Sequence, residues 1–153
     1  MVNKDTVLDL LRKQKDSMVE QGDPEKRKQE WCNALDQVMK LIARWLEDAQ
    51  TQELLQVEHY NVTRNEQLVG NYEVPALKVI SPNGNTVRIE PKALWIVGAN
   101  GRVDIERPPR KEMLVRDESG EWHFARLQID HSGWEYEEFN EQNFWDRLYK
   151  VLS

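Results

Sequence analysis

The stretch Leu94-Trp95-Ile96-Val97-Gly98-Ala99-Asn100-Gly101-Arg102-Val103-Asp104-Ile105 decides how the middle of this chain is read. Asn100-Gly101 is the residue pair of a two-residue type I′ turn, in which both central positions need positive φ. It predicts a hairpin with Ile96 opposite Ile105 and Gly98 opposite Val103. Leu94, Ile96, Val103 and Ile105 then share one face, and Trp95, Val97, Asp104 and Glu106 share the other. Such a register places the segment in an antiparallel sheet and assigns it no activity. A phosphate-loop reading of Gly98-Ala99-Asn100-Gly101 fails, because no Lys-Ser/Thr follows and Arg102 onward alternates as a strand.

Strand-like alternation extends in both directions. Upstream, Leu55 to Tyr60 reads as a strand, and Tyr72 to Ile80 pairs with Thr86 to Glu90 around Ser81-Pro82-Asn83-Gly84-Asn85. Leu77 and Val79 should face the same way as Val87 and Ile89. Pro75 cannot donate to a ladder and marks an edge or a bulge. Downstream, Met113 to Arg116 pairs with Trp122 to Ile129 across Asp117-Glu118-Ser119-Gly120, and Pro108-Pro109 separates this hairpin from the one before it. All seven glycines lie at or beside these breaks, which supports the segmentation.

The ends are helical. Val7, Leu10, Leu11 and Met18 form a narrow apolar stripe that stops near Gly22. Asp23 offers an N-cap and Pro24 a first helical position. From Trp31 to Leu46 the apolar positions 31, 34, 35, 38, 39, 41, 42, 45 and 46 fill one sector roughly 160° wide at about 100° per residue. Asn140 caps a final helix with Phe144, Trp145, Leu148, Val151 and Leu152 on its apolar side. The expected fold is α+β and forms a single domain over residues 1–153. It comprises a helical hairpin in 1–50, an antiparallel meander of five to six strands in 54–130, and a helix in 140–152.

Composition narrows the function. A chain of 153 residues, 39% apolar and 31% charged, can bury a real core. Its six Trp anchor either that core or a binding face. The net charge of −6 opposes general nucleic-acid or anionic-membrane binding. Cys32 is the only cysteine, so an intramolecular disulfide and a multi-cysteine metal site are both excluded. No signal-peptide core or membrane-spanning stretch is seen, which makes a cytoplasmic location the simplest expectation. No cofactor is implied.

Candidate chemistry centres first on histidine, which titrates near neutral pH. Asp130-His131 with Glu135, Glu137 and Glu138 offers metal-ligand types, but at a spacing that matches no specific pattern. His123 and His131 with Arg116 or Arg126 would meet the minimum for an RNase-like hydrolase. Alternation, however, groups His123 with Ala125, Leu127 and Ile129 on the face expected to be buried. No serine sits in a nucleophile elbow, and Cys32 lies at the rim of a helical apolar sector, where thiols usually pack.

The richer features are surfaces. Trp122, Phe124 and Arg126 share one strand face, a composition suited to protein hot spots or to stacking single-stranded nucleic acid. The segment from Asp130 to Asp146 is acidic, with no Lys or Arg before Arg147, and interleaves Trp134, Tyr136 and Phe139 with Glu135, Glu137 and Glu138. It reads as an acidic aromatic loop that either docks on the sheet or engages a basic partner. No family motif is matched. The reading is a non-enzymatic binding protein of inhibitor, immunity or accessory-subunit type. It would engage a protein through Trp122, Phe124, Arg126, Trp134, Tyr136, Glu137 and Glu138. The alternatives are a small hydrolase built on His123 and His131, and a nucleic-acid module on the Trp122/Phe124/Arg126 face. Self-association through the narrow first-helix stripe stays open.

Overall fold

The computed structural model describes residues 2–20, 24–66, 69–93, 101–128, 130 and 133–153. Within them the chain is α+β, with three helices and a seven-stranded antiparallel sheet. The order is α1 (Lys4–Glu20), α2 (Pro24–Thr51), β1 (Gln56–Glu66), β2 (Gly70–Ile80), β3 (Thr86–Ala93), β4 (Arg102–Arg107), β5 (Arg110–Arg116), β6 (Trp122–Leu127), β7 (Trp134–Glu138) and α3 (Glu141–Leu152). Every strand pairs with its sequence neighbours, so the sheet is an open meander whose edges are β1 and β7. The seventh strand lies in the segment read from sequence as a loop.

Side chains cap α1 and α3, while Asp23, read as the cap of α2, lies outside the described residues. Asn3 opens α1 by accepting from the Thr6 backbone N–H at 3.0 Å. Pro24 occupies the first position of α2, where its missing N–H costs nothing. Trp31, Leu35, Val38, Met39, Ile42 and Leu46 form the buried ridge of α2. Asn140 caps α3 through the Asn143 N–H at 2.8 Å. The other end of α3 is held by Arg107, whose Nε donates to the Val151 carbonyl at 2.9 Å and Nη2 to that of Leu152 at 3.3 Å, satisfying acceptors the helix itself cannot. The stripe of α1 is different: Val7, Leu10 and Leu11 are all exposed, and the side chain of Met18, like residues 21–23, lies outside the described part.

The core lies between the two later helices and one face of the sheet. Leu77, Val79, Val87, Ile89, Val103, Ile105, Leu114 and Phe124 are all essentially inaccessible. Leu77 and Val79 share a face with Val87 and Ile89 as expected, through the pairs Leu77–Ile89 and Val79–Val87. Continuing that register would set Pro75 opposite Pro91. Neither proline has an N–H to donate, and β2–β3 pairing ends there. The Pro91 carbonyl is taken instead by Arg64 Nε at 2.7 Å.

The hairpin register drawn around Asn100-Gly101 is corrected. Residues 94–100 lie outside the described part, and β4 already has two other neighbours. Ile105 faces Ile89 and Val103 faces Pro91 on one side, and Val103 faces Leu114 on the other. Both edges of β4 are therefore occupied by β3 and β5. Pro108-Pro109 is corrected as well: it does not separate two hairpins but turns β4 directly into β5, with Arg107 opposite Arg110.

The glycine signal was real, though for a further reason. Gly101 has φ +140°, and a Cβ there would meet the Trp31 ring at 2.2 Å. The position needs glycine for close approach as much as for its backbone angle.

Away from the helices the sheet carries charge. Glu90 and Asp104 are cross-strand partners, a like-charge pair that would repel. Lys92 binds Glu90 at 3.4 Å and Glu106 at 2.8 Å. Arg102 clamps Asp104 through two bonds of 2.6 and 2.8 Å. Tyr60 donates to Glu90 at 2.6 Å, and burial together with that bond pushes its phenol up to about 12.

Candidate functional site: the β6–β7 edge and its cleft

Two aromatic pairs sit side by side on β6 and β7. Cross-strand pairing sets Trp134 opposite Leu127, Tyr136 opposite Ala125 and Glu138 opposite His123. Residues directly opposite share a face and alternate residues take the other. Trp134, Tyr136, Glu138, His123 and Ala125 therefore share one face, and Trp122, Phe124 and Arg126 leave from the other. The second set is the one that meets the helices.

This corrects the sequence reading of β6. Phe124 is 1% exposed, with its ring edge-on to Phe139 at 5.5 Å and the Arg147 guanidinium 5.2 Å from its centroid. Trp122 is half-buried and packs 5.8 Å from Trp31. Neither ring is presented as a stacking platform. The reason is area: two large aromatics gain far more from burial than a histidine and an alanine do. Of the three, only Arg126 remains exposed, where it pairs with Glu112 at 3.3 Å.

The acidic aromatic segment is likewise reassigned from loop to edge strand. Every residue of β7 is exposed, with Trp134 at 49% and Tyr136 at 62%. Phe139 is the aromatic that docks the segment, packing 5.1 Å from Trp45 and against Phe124. Glu137 is committed internally, bound to Arg147, which is buried at 3% and also reaches Glu112 at 3.7 Å. Among the described residues Glu135 and Glu138 accept from the side-chain amides of Gln128 and Asn140, each at 3.4 Å. Among the described residues no ion pair engages these two carboxylates.

A cleft of about 550 Å³ opens where β6 begins and β7 ends. Its apolar wall includes Val38 and Leu41 of α2 together with Trp122 and Phe139. Glu121, Glu138 and His123 contribute its polar groups. Such a mixture suits a ligand with both an apolar stem and a charged end.

His123 stands in this cleft by virtue of the β5–β6 turn. Asp117 Oδ1 accepts from the Ser119 N–H at 2.9 Å, the Ser119 hydroxyl at 2.6 Å and the Glu121 N–H at 3.0 Å. Its other oxygen lies 2.8 Å from His123 Nε2, in hydrogen-bond contact with it. These bonds, that of the Ser119 hydroxyl foremost, hold the Asp117 carboxyl well below the usual carboxylate range. An ionised carboxylate can only accept, so it fixes the His123 tautomer. Oriented this way, His123 could serve as a base through Nδ1.

Among the described residues, those able to hold a metal are Asp117, Glu121 and His123, whose ligand atoms lie within 4.8 Å of one another. One imidazole and two carboxylates suit a first-row divalent ion, which would have to replace the His123–Asp117 hydrogen bond. This set was not anticipated. The signal was the Asp-x-x-x-Glu-x-His spacing across the Asp117–Gly120 turn, a turn the sequence did reveal, although the spacing matches no established ligand motif.

Of the hydrolase set, the described residues place only His123 and Arg116, and they do not bring these two together. Arg116 is opposite Trp122 and His123 is opposite Val115, so their side chains leave opposite faces. His131 lies outside the described residues. The proposed ligand set around Asp130 loses Glu137 to Arg147. Cys32 is half-buried in α2, and burial pushes its thiol up, away from a reactive thiolate. Among the described residues no helix is long and apolar enough to cross a membrane. Compared with protein-family models, curated proteins and solved structures, the chain matches none.

Proposed function

We propose that this chain is a non-enzymatic binding protein that engages a protein partner through β7. Trp134 and Tyr136 are the contacts, and Glu138 shares their face. The observation carrying this reading is the exposure of two large aromatics, 49% and 62%, on one face of an edge strand. Exposed aromatics grouped with charge are the composition of binding hot spots. An edge strand also offers unpaired backbone groups to an incoming segment. Phe139 and the Glu137–Arg147 pair fasten the strand from behind, so its outer face is held in place ahead of binding. The protein works in the cytoplasm, where its single thiol stays reduced.

The test is affinity capture of the tagged full-length protein beside its Trp134→Ala, Tyr136→Ala double variant, with nuclease present. The expected result is a stoichiometric partner held by the parent and lost by the variant. Equal capture by both would contradict the reading.

A further inference from the structure

We infer that β7 and the adjoining cleft receive a basic, extended segment of the partner, with one arginine or lysine side chain seated in the cleft. The inference rests on the partner-binding reading and adds the chemistry of the ligand. Three observations lead to it. First, β7 is an outer strand whose residues are all exposed and whose only strand neighbour among the described residues is β6. A sheet edge of this kind pairs with an extended backbone. Second, the charge at the cleft end of β7 is negative. From Leu127 to Asp146 the sequence holds no lysine or arginine; Arg126 stands opposite Glu135 and Arg147 binds Glu137, while no cation pairs with Glu138 among the described residues. A segment reaching the cleft therefore meets the carboxylates of Glu138 and Glu121, which favours a cationic side chain there. Third, the cleft at the end of β7 is amphipathic. Val38, Leu41 and Phe139 line it beside the carboxylates of Glu121 and Glu138. Lysine and arginine bury an aliphatic stem against apolar surface and keep the charged head among polar groups, and the cleft supplies both environments.

The experiment uses the full-length protein, isotope-labelled and titrated by NMR with a synthetic acetylated pentapeptide of alternating threonine and valine around one central arginine. Its counterparts carry norleucine in place of the arginine or methylated backbone amides on either side of it. The expected result is saturable perturbation of Glu121, His123 and Glu138 and of the Trp122 indole, with the arginine peptide at least tenfold tighter than the norleucine one. Glu121→Gln with Glu138→Gln should erase that difference and leave the spectrum of the free protein folded. Equal affinity for the norleucine or methylated peptide, perturbation confined to another surface, or self-association of the protein shifting the same resonances would each overturn the inference. Loss of the captured partner in the Trp134/Tyr136 variant would stand regardless, so the broader reading and this one fail separately.

Discussion

β6 and β7 carry the same pattern, Trp-x-Phe at 122–124 and Trp-x-Tyr at 134–136, and lie side by side in one sheet, yet their aromatics have opposite fates. Trp122 and Phe124 pack beneath the helices, while Trp134 and Tyr136 face outward. The cause is parity. The register sets Phe124 opposite Glu137 and Tyr136 opposite Ala125, so the two aromatic pairs fall on opposite faces of the pleat. A shift of one residue would turn Trp134 and Tyr136 toward the helices and Glu137 away from Arg147. The comparison shows that aromatic content alone does not distinguish core from interface. Position in the register does.

The largest effect expected on this contrast comes from Phe124→Ala, which empties a site enclosed by Phe139, Leu114 and Arg147. Equilibrium denaturation should show a loss of about 3–5 kcal/mol; a loss below about 0.5 kcal/mol would place the ring at the surface.

Next is Arg147→Met, which leaves Glu112 facing the core and frees Glu137 of β7. Removing one partner of a largely buried pair should cost about 3 kcal/mol, and adding Glu112→Met should recover part of it. No recovery in the double variant would mean the pair contributes only through packing.

Gly101→Ala pushes a methyl into the Trp31 ring that supports Trp122, and a loss of about 2 kcal/mol is expected from overpacking. A neutral result would mean that Trp31 does not rest on this glycine.

Smaller still is a pH effect on the charged face. The Tyr60 phenol is raised to about 12, by burial first and the Glu90 bond second, whereas an unfolded tyrosine titrates near about 10. The folded state therefore holds the proton longer. Stability should be intact below about pH 10 and fall between about 10 and 12. In Tyr60→Phe that fall should be shallower, with Tyr72, also raised by burial and its Glu66 bond, supplying what remains. An unchanged slope would show that Tyr60 is not held as described.

How much of this could be read from the sequence follows from how local each signal is. The ridge of α2 from Trp31 to Leu46, the Asn140 cap, and the hairpins around Asn83-Gly84 and Ser119-Gly120 depend on residues within a few positions of one another, and they were readable. The 94–105 hairpin was not. Asn100-Gly101 marks a positive-φ glycine correctly, but a strand has two edges, and β4 filled its edges with β3 and β5. The face of β6 was also beyond local reading. Trp122-Phe124-Arg126 and His123-Ala125-Leu127 both alternate acceptably, and only the competition for helix cover decides between them. β7 was hidden because five residues with three carboxylates do not resemble a buried strand, and pairing with β6 on one side alone is what allows them. The cleft joins α2 to β6 and β7 across more than eighty residues of sequence, a separation no local pattern spans.

The most direct measurement is equilibrium denaturation of the Trp134→Ala, Tyr136→Ala double variant, run in parallel with its binding to the captured partner. The account predicts stability within about 0.5 kcal/mol of the parent and binding abolished. A variant that loses several kcal/mol, or that keeps its partner, would contradict the assignment of the outer face of β7 as the binding surface.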